Sequence, residues 1–489
     1  MEDSARPRVA IVGGGIAGLA AAYFLGETGF LGETGASVTV LEGSARLGGK
    51  LAVSPVAGLD VDEGAEALLT RRPEGTDLVR AAGLAGDLAG PATTAATIWS
   101  RETMRPLPRR QFMGVPADLD DLAACGLLSP AGLARAREDL GLPATAREGD
   151  VAVADYVAAR FGPEVVDRLV DPLLGGVYAG RAQELSFEAT LPALAAQSGR
   201  HASLARAAAT LVPAPRPGPG PASASGQQAG DAGVFATLTG GLGTLPAAVA
   251  AGSGAAIRTG AMVRELTRTP AGWRLTIGSA HAPSYLDADA LVLAVPATPA
   301  ARLLAGLPGA ASARVALAEI PYASMAVVTL AYPADAFPSP PGSSGYLVPA
   351  VDGHPVKAVT FSSVKWPHLH AAGPGLVVVR CSLGRIGDEG VLQRDDGDLA
   401  ALAAADLAAA TGVGGRPAAV RVTRWGGSLP QYTVGHLARV ERIRADVARQ
   451  PGLAVCGAAY DGIGIPACIA TARAAAGQIA VYLRERSPV

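Results

Sequence analysis

The sequence predicts an α/β unit joined to an α+β remainder, and three observations carry that prediction. A strand, a glycine turn and a small-residue helix follow one another between residues 9 and 26. Alternating, β-branched stretches recur at Met325–Ala331, Lys357–Phe361 and Leu376–Cys381, as expected of an antiparallel sheet. Residues 107–206 instead carry helix starts such as Ser129-Pro130 and Phe161-Gly162-Pro163-Glu164. At 489 residues the chain exceeds one ordinary core and divides into two or three domains.

Val9–Val12 is an unbroken apolar run, the pattern of a strand buried on both faces. It runs into Gly13-Gly14-Gly15-Ile16-Ala17-Gly18, with the Gly13-x-Gly15-x-x-Gly18 spacing. Gly13 permits the turn, Gly15 lets backbone approach a pyrophosphate, and Gly18 lets helix and strand pack closely. Phosphates then sit on the helix N-terminus, where free N–H groups favour negative charge. A second strand, Val38–Leu41, ends on Glu42, an acceptor for ribose hydroxyls. Glu42 follows Gly18 by 24 residues, beyond the usual ~20. A duplicated turn explains the excess, since Leu25-Gly26-Glu27-Thr28-Gly29 recurs as Leu31-Gly32-Glu33-Thr34-Gly35. The site is thus Rossmann-like, and the segment Arg46-x-Gly48-Gly49-Lys50 separates FAD from NAD. Arg46 can neutralise the second phosphate, and Gly48 and Gly49 let backbone pass where a Cβ would clash. FAD, stably bound, is the expected cofactor.

Further along, residues 207–231 are rich in Pro, Gly, Ala and Ser and read as a flexible linker. Leu238–Pro246 reads as a glycine turn feeding a helix, and Met262–Leu266 with Trp273–Ile277 as a hairpin whose Val263 meets the cofactor. Ala290–Val295 reads as a buried parallel strand. The chain closes with strand Leu453–Cys456, a loop containing Gly457, Asp461, Gly462 and Gly464, and a helix from near Ile465. That helix can aim its N-terminal dipole at the flavin N1/C2=O edge, so Gly457, Asp461, Gly464 and Ile465 join the expected cofactor site. The expected domains are FAD-binding 1–72, 232–300 and 438–489, substrate-binding 73–106 and 301–437, and helical 107–206.

Composition narrows the function classes. A net charge of −2 gives no reason to expect nucleic acid. Lysine is rare, with Lys50, Lys357 and Lys365 the three among 41 basic residues. Four cysteines without a CxxC point to a reducing, cytoplasmic setting. No stretch reaches ~18 strongly apolar residues, so no transmembrane segment is expected, while peripheral membrane contact stays open. His368-x-His370 has strand-like spacing for a metal edge but lacks a third ligand, so no metal is expected.

Five motifs in order resemble the protoporphyrinogen oxidase family, closest in character to its bacterial branch acting on coproporphyrinogen III. They are the N-terminal fingerprint, Gly176-Val-Tyr-Ala-Gly180 with Glu184-Leu-Ser186, Gly240–Leu245, Ser428-Leu-Pro-Gln-Tyr432-x-x-Gly435-His436, and Tyr460–Cys468. The resemblance implies a Rossmann-like FAD domain of the p-hydroxybenzoate-hydroxylase/amine-oxidase type, an antiparallel-sheet substrate domain and a helical insertion domain. It implies removal of six electrons from a porphyrinogen, with hydride leaving to flavin N5 and O2 reduced to H2O2. No protein side chain need act as nucleophile or strong base, and none is assigned as catalytic. Arg71 and Arg72 follow the acidic loop Asp62–Glu66 and are the expected partners of substrate propionates, while Tyr432 and His436 either line the cleft or serve in the core or a loop. A downstream heme-pathway chelatase is a further implied partner. The modest amphipathicity of residues 107–206 favours the more polar coproporphyrinogen III over protoporphyrinogen IX. Another flavin oxidase of the amine-oxidase superfamily, or a non-catalytic FAD- and porphyrin-binding protein, are the alternatives.

Overall fold

A computed structural model describes residues 6–27, 37–145, 147, 149–213 and 233–486. The second copy of the duplicated turn, and the expected linker from residue 214 onward, lie outside the described residues. Strand Arg8–Val12 is central in a five-stranded parallel sheet ordered Ala256–Arg258, Ser37–Leu41, Arg8–Val12, Ala290–Leu293 and Leu453–Val455. The unbroken apolar text of its first strand follows from burial on both faces. Val9 and Ile11 pack under helices Ile16–Gly26 and Ile465–Arg486, while Ala10 and Val12 face helices Ala297–Leu303 and Ala311–Ala318. The expected hairpin is part of a three-stranded antiparallel sheet, Val263–Thr269, Gly272–Ser279 and Ala282–Ala288.

Several expected domain boundaries move, among them the start of the linker, since residues 207–209 finish helix Leu204–Ala209 with Ala207 and Ala208 buried. Helix Pro73–Ala81 places Leu78 and Val79 in the core beneath the terminal helix, and Leu88–Ala89 pairs with strand Phe235–Leu238. Helix Ala311–Ala318 places Ala313 and Leu317 in the core on the other side of the parallel sheet. Residues 73–89 and 301–320 therefore belong with the dinucleotide unit. Their short amphipathic helices mark a buried face without marking which sheet it meets.

The second sheet has seven strands, ordered Ala419–Pro430, Tyr322–Pro333, Leu376–Leu383, Val356–Phe361, Gly345–Leu347, Ala96–Ser100 and Thr103–Pro106. Its pairs are antiparallel except Gly345–Leu347 with Ala96–Ser100, which run parallel. Helix Asp396–Thr411 covers one face through Leu399, Ala403 and Leu407, and Asp395 caps it by accepting from the Asp398 N–H at 2.8 Å.

Residues 119–209 form the helical unit, with caps from Asp118, Ser129, Ser186 and Ser203. Asp139 is its polar centre. Fully buried, it accepts from Arg160 Nε at 2.6 Å, Ser203 Oγ at 2.6 Å and the Leu204 and Ala205 N–H groups at 3.0 Å. Removing either charge of that pair would strand the other, a loss of about 3–5 kcal/mol. Among the described residues no helix is long and apolar enough to cross a membrane.

Candidate functional site

A cavity of about 1170 Å³ runs from the carboxyl ends of the parallel strands to the seven-stranded sheet. That exceeds the ~300–1,000 Å³ of a single small-molecule pocket, leaving room for a dinucleotide and a second molecule. At one end Val12, Gly13, Gly15, Glu42, Met262 and Val263 form the wall. At the other the wall is Gly176, Val177, Met325, Val327, Leu429 and Ile463.

The dinucleotide end is built by backbone proximity. A Cβ on Gly18 would lie 1.9 Å from the Gly13 carbonyl oxygen, so helix and strand meet only with glycine there. At Gly15 a Cβ would meet nothing within 4 Å and would project into the cradle. Ile16 and Ala17 continue the wall into the first helix. Glu42 lines the cavity with both carboxylate oxygens already engaged, Oε2 by the Gly14 N–H and Oε1 by the Ser44 N–H, each at 2.7 Å. Those bonds fix the carboxylate and leave a further lone pair on each oxygen for ribose hydroxyls.

Gly48, Gly49 and Lys50 line the next stretch. Burial holds the Lys50 ammonium below the usual lysine range, with the Cys468 thiol opposing, and no carboxylate lies within ion-pair distance among the described residues. A buried cation without an acid is stabilised by a ligand anion. Behind this loop, Asp62 accepts from the Leu242 and Gly243 N–H groups at 3.0 Å, which seats the Gly240–Leu245 turn. Burial pushes Asp62 up to about 6, against the pull of those N–H groups and Arg380.

The last turn of the cavity is the C-terminal loop. Gly457, Ile463, Gly464 and Ile465 line it, and helix Ile465–Arg486 begins there as expected. Its first turn leaves N–H groups without intrahelical partners, facing the cavity. The loop Glu63–Ala67 returns along the opposite side and contributes Gly64, Ala65 and Ala67. Glu66 ties that loop to the second sheet, accepting from Lys365 Nζ at 2.8 Å, Arg380 Nη1 at 2.6 Å and Ser362 Oγ at 3.1 Å.

Several expected contacts stand elsewhere. Arg46 does not line the cavity; its guanidinium donates to the carbonyls of Leu47 (3.2 Å), Gly49 (2.7 Å) and Leu51 (3.4 Å) and so braces the glycine loop. Gly14 and Gly18 shape the turn from behind the wall. Asp461 points outward into an ion pair with Arg444. Arg71 is exposed, and Arg72 pairs with Glu74 at 2.8 Å outside the cavity wall. Tyr432 and His436 are buried beneath the C-terminal loop instead of lining the cleft. His368 and His370 sit on helix Pro367–Ala372, so their spacing is not that of a strand edge. The sequence reading missed Met325, Val327, Trp425 and Leu429, which a bulge between Ala323 and Met325 helps aim at the cavity. Alternation marked those strands without marking which face meets a ligand.

Comparison with known proteins decides the family. The profile of flavin containing amine oxidoreductases matches residues 16–480. The chain belongs to this family. Within the amine oxidoreductases it is 38% identical, over 94% of its length and 95% of theirs, to the coproporphyrinogen III oxidase of Mycobacterium tuberculosis (strain H37Rv). It is 31% identical to the coproporphyrinogen III oxidase of Bacillus subtilis (strain 168), over 98% of this chain and 99% of that one. A crystal structure from Exiguobacterium sp. 255-15, assigned as a protoporphyrinogen oxidase, superimposes with a TM-score of 0.83 at 30% identity, covering 98% of this chain and 99% of that one. The flavin is FAD, and the residues that would hold it are the glycine cradle at one end of the cavity and the C-terminal loop at the other.

Proposed function

We propose that this amine oxidoreductase oxidises coproporphyrinogen III to coproporphyrin III. The observation that carries the reading is the chemistry of the inner wall. Val177, Met325, Val327, Leu429 and Ile463 are apolar, and among the lining residues there is no histidine and Glu42 is the one carboxylate, at the far dinucleotide end. An inner wall without a carboxylate or imidazole base suits a substrate that carries its own driving force. In each of three cycles one meso carbon loses a hydride and the macrocycle loses one proton; two of those protons come from pyrrole N–H groups and the third, after tautomerisation, from the fourth meso carbon, and conjugation stabilises the product. Bound FAD supplies the hydride acceptor. The full-length similarity to two coproporphyrinogen III oxidases supports the tetracarboxylate substrate.

The chain's own residues then hold and shield. The apolar wall excludes water from the reacting carbons, and the glycines Gly64 and Gly176 let a flat macrocycle approach. The propionates stay at the mouth, because burying carboxylates against that wall would cost several kcal/mol each. Arg72, whose side chain is 43% exposed, pairs with Glu74 at 2.8 Å outside the cavity wall. It can exchange Glu74 for a propionate. The balance is one porphyrinogen and three O2 giving one porphyrin and three H2O2. The product, a metal-free porphyrin, is the substrate class of a chelatase. The four free cysteines support a reducing, cytoplasmic location.

The test is porphyrin fluorescence under air with coproporphyrinogen III and protoporphyrinogen IX compared at equal concentration. A higher kcat/KM for coproporphyrinogen III supports the proposal; a clear preference for protoporphyrinogen IX overturns it in favour of that substrate.

A further inference from the structure

Three motifs far apart in the sequence are bonded into one bracket. Tyr432 and His436 lie at its centre, 1% and 0% exposed, with rings stacked at 3.8 Å and 14°. On one side they hold the C-terminal loop. Tyr432 Oη donates to the Ala458 carbonyl at 2.7 Å and accepts from the Gly462 N–H at 2.8 Å. His436 Nε2 lies 3.1 Å from the Tyr460 carbonyl, which can only accept, so that nitrogen carries the proton. Its Nδ1 is buried without a partner among the described residues, and burial lowers the ring to about 4, against the Tyr460 carbonyl, so it stays neutral.

On the other side the same segment grips the helical unit. Gln431 Nε2 donates at 2.8 Å to the carbonyl of Tyr178, directly after the wall residues Gly176 and Val177. The Ser186 N–H donates to the Tyr432 carbonyl at 2.7 Å, and Asp150 accepts from both the Gly435 N–H (2.7 Å) and Ser186 Oγ (2.8 Å). Neither Tyr432 nor His436 touches the cavity, so any effect on a ligand passes through the loop.

We propose that Tyr432 and His436 are positioning residues that set the C-terminal loop against the flavin. One phenol oxygen bridging Ala458 and Gly462 fixes the chord of the loop between them, and the imidazole fixes its middle at Tyr460. A phenylalanine would pack equally well at 432 but would release both ends of that chord, letting the cavity-lining residues Gly464 and Ile465 shift. The proposal rests on FAD lying in this cavity, not on which substrate is oxidised.

The test uses holoenzyme variants, and its deciding readings, FAD affinity and flavin potential, need no porphyrinogen. Tyr432→Phe is expected to raise the FAD Kd about tenfold, the loss of roughly one to two buried hydrogen bonds. It is also expected to shift the flavin midpoint potential and to lower kcat while KM stays within about twofold. His436→Gln, which keeps an N–H donor, is expected to lie nearer the wild-type potential than His436→Leu. A Tyr432→Phe holoenzyme with unchanged potential and unchanged FAD affinity overturns the proposal. Should that variant fail to fold, equal potentials for His436→Gln and His436→Leu overturn it. A changed potential with neither porphyrinogen oxidised would leave the bracket standing and remove the substrate reading.

Discussion

Replacing Glu66 by Gln preserves volume and removes one buried negative charge from between two cations. Glu66, Arg380 and Lys365 have side chains 12%, 8% and 18% exposed, and Arg380 also donates to the Gly64 carbonyl at 2.5 Å. Burial alone would raise the Glu66 carboxyl, but Lys365 and Arg380 outweigh it and hold the group well below the usual carboxylate range. Breaking a buried pair costs about 3–5 kcal/mol, and the lower end applies because Lys365 can turn toward water. A loss of about 3 kcal/mol at pH 7, set against an unfolding entropy of about 1 kcal/mol/K for a chain of this length, lowers Tm by roughly 3 °C. The sign with pH follows from the depressed pKa: the contribution is complete above the unfolded value, about 4.3, and fades as pH falls toward the folded value. Scanning calorimetry of wild type and Glu66→Gln at pH 7 and pH 3 therefore shows a gap that narrows on acidification, since about 2 kcal/mol of the contribution is lost by pH 3. Equal melting at pH 7, or a gap undiminished at pH 3, would refute the reasoning. Because Gly64, Ala65 and Ala67 line the cavity, FAD affinity falls in the same variant.

Gly18→Val abolishes FAD binding, since its side chain would begin 1.9 Å from the Gly13 oxygen; flavin absorbance retained after gel filtration would contradict this. Arg72→Ala raises KM for coproporphyrinogen III about tenfold with kcat within about twofold, as expected for a mouth contact, and unchanged steady-state kinetics would remove Arg72 from the propionate site. Lys357 is buried, donates to the Gly384 carbonyl at 2.7 Å, and is lowered to about 7 by burial and the nearby Arg385. The unfolded chain binds the extra proton between pH 7 and about 10.4, so this residue makes stability rise with pH there. Urea unfolding of Lys357→Met across that window shows a flatter profile than wild type; parallel profiles would exclude the effect.

The dinucleotide half was legible because its physics is local. Gly13, Gly15 and Gly18 answer to a turn, a ligand and a packed helix within six residues, and Val9–Val12 records burial on both faces in its own text. The substrate half is set by contacts across hundreds of positions. Arg72 meets Glu74 and Arg46 meets backbone carbonyls, partners that the residue types alone do not announce. Tyr432 and His436 were visible as a motif, yet their work depends on Ala458, Tyr460 and Gly462, which only the fold brings near. Glu66 was read as part of an acidic loop, with no local sign that Lys365 and Arg380 would close on it. Met325 and Val327 gained their orientation in a strand with a bulge, which alternation cannot announce.

The central claim is that a porphyrinogen delivers its electrons to FAD in this cavity. Anaerobic stopped-flow mixing of the holoenzyme with coproporphyrinogen III measures that transfer directly, followed by admission of O2 and titration of H2O2. The account predicts rapid loss of the oxidised-flavin absorbance, its return with O2, and three H2O2 for each coproporphyrin formed. Flavin that stays oxidised with coproporphyrinogen III, yet bleaches with a primary amine, would contradict it.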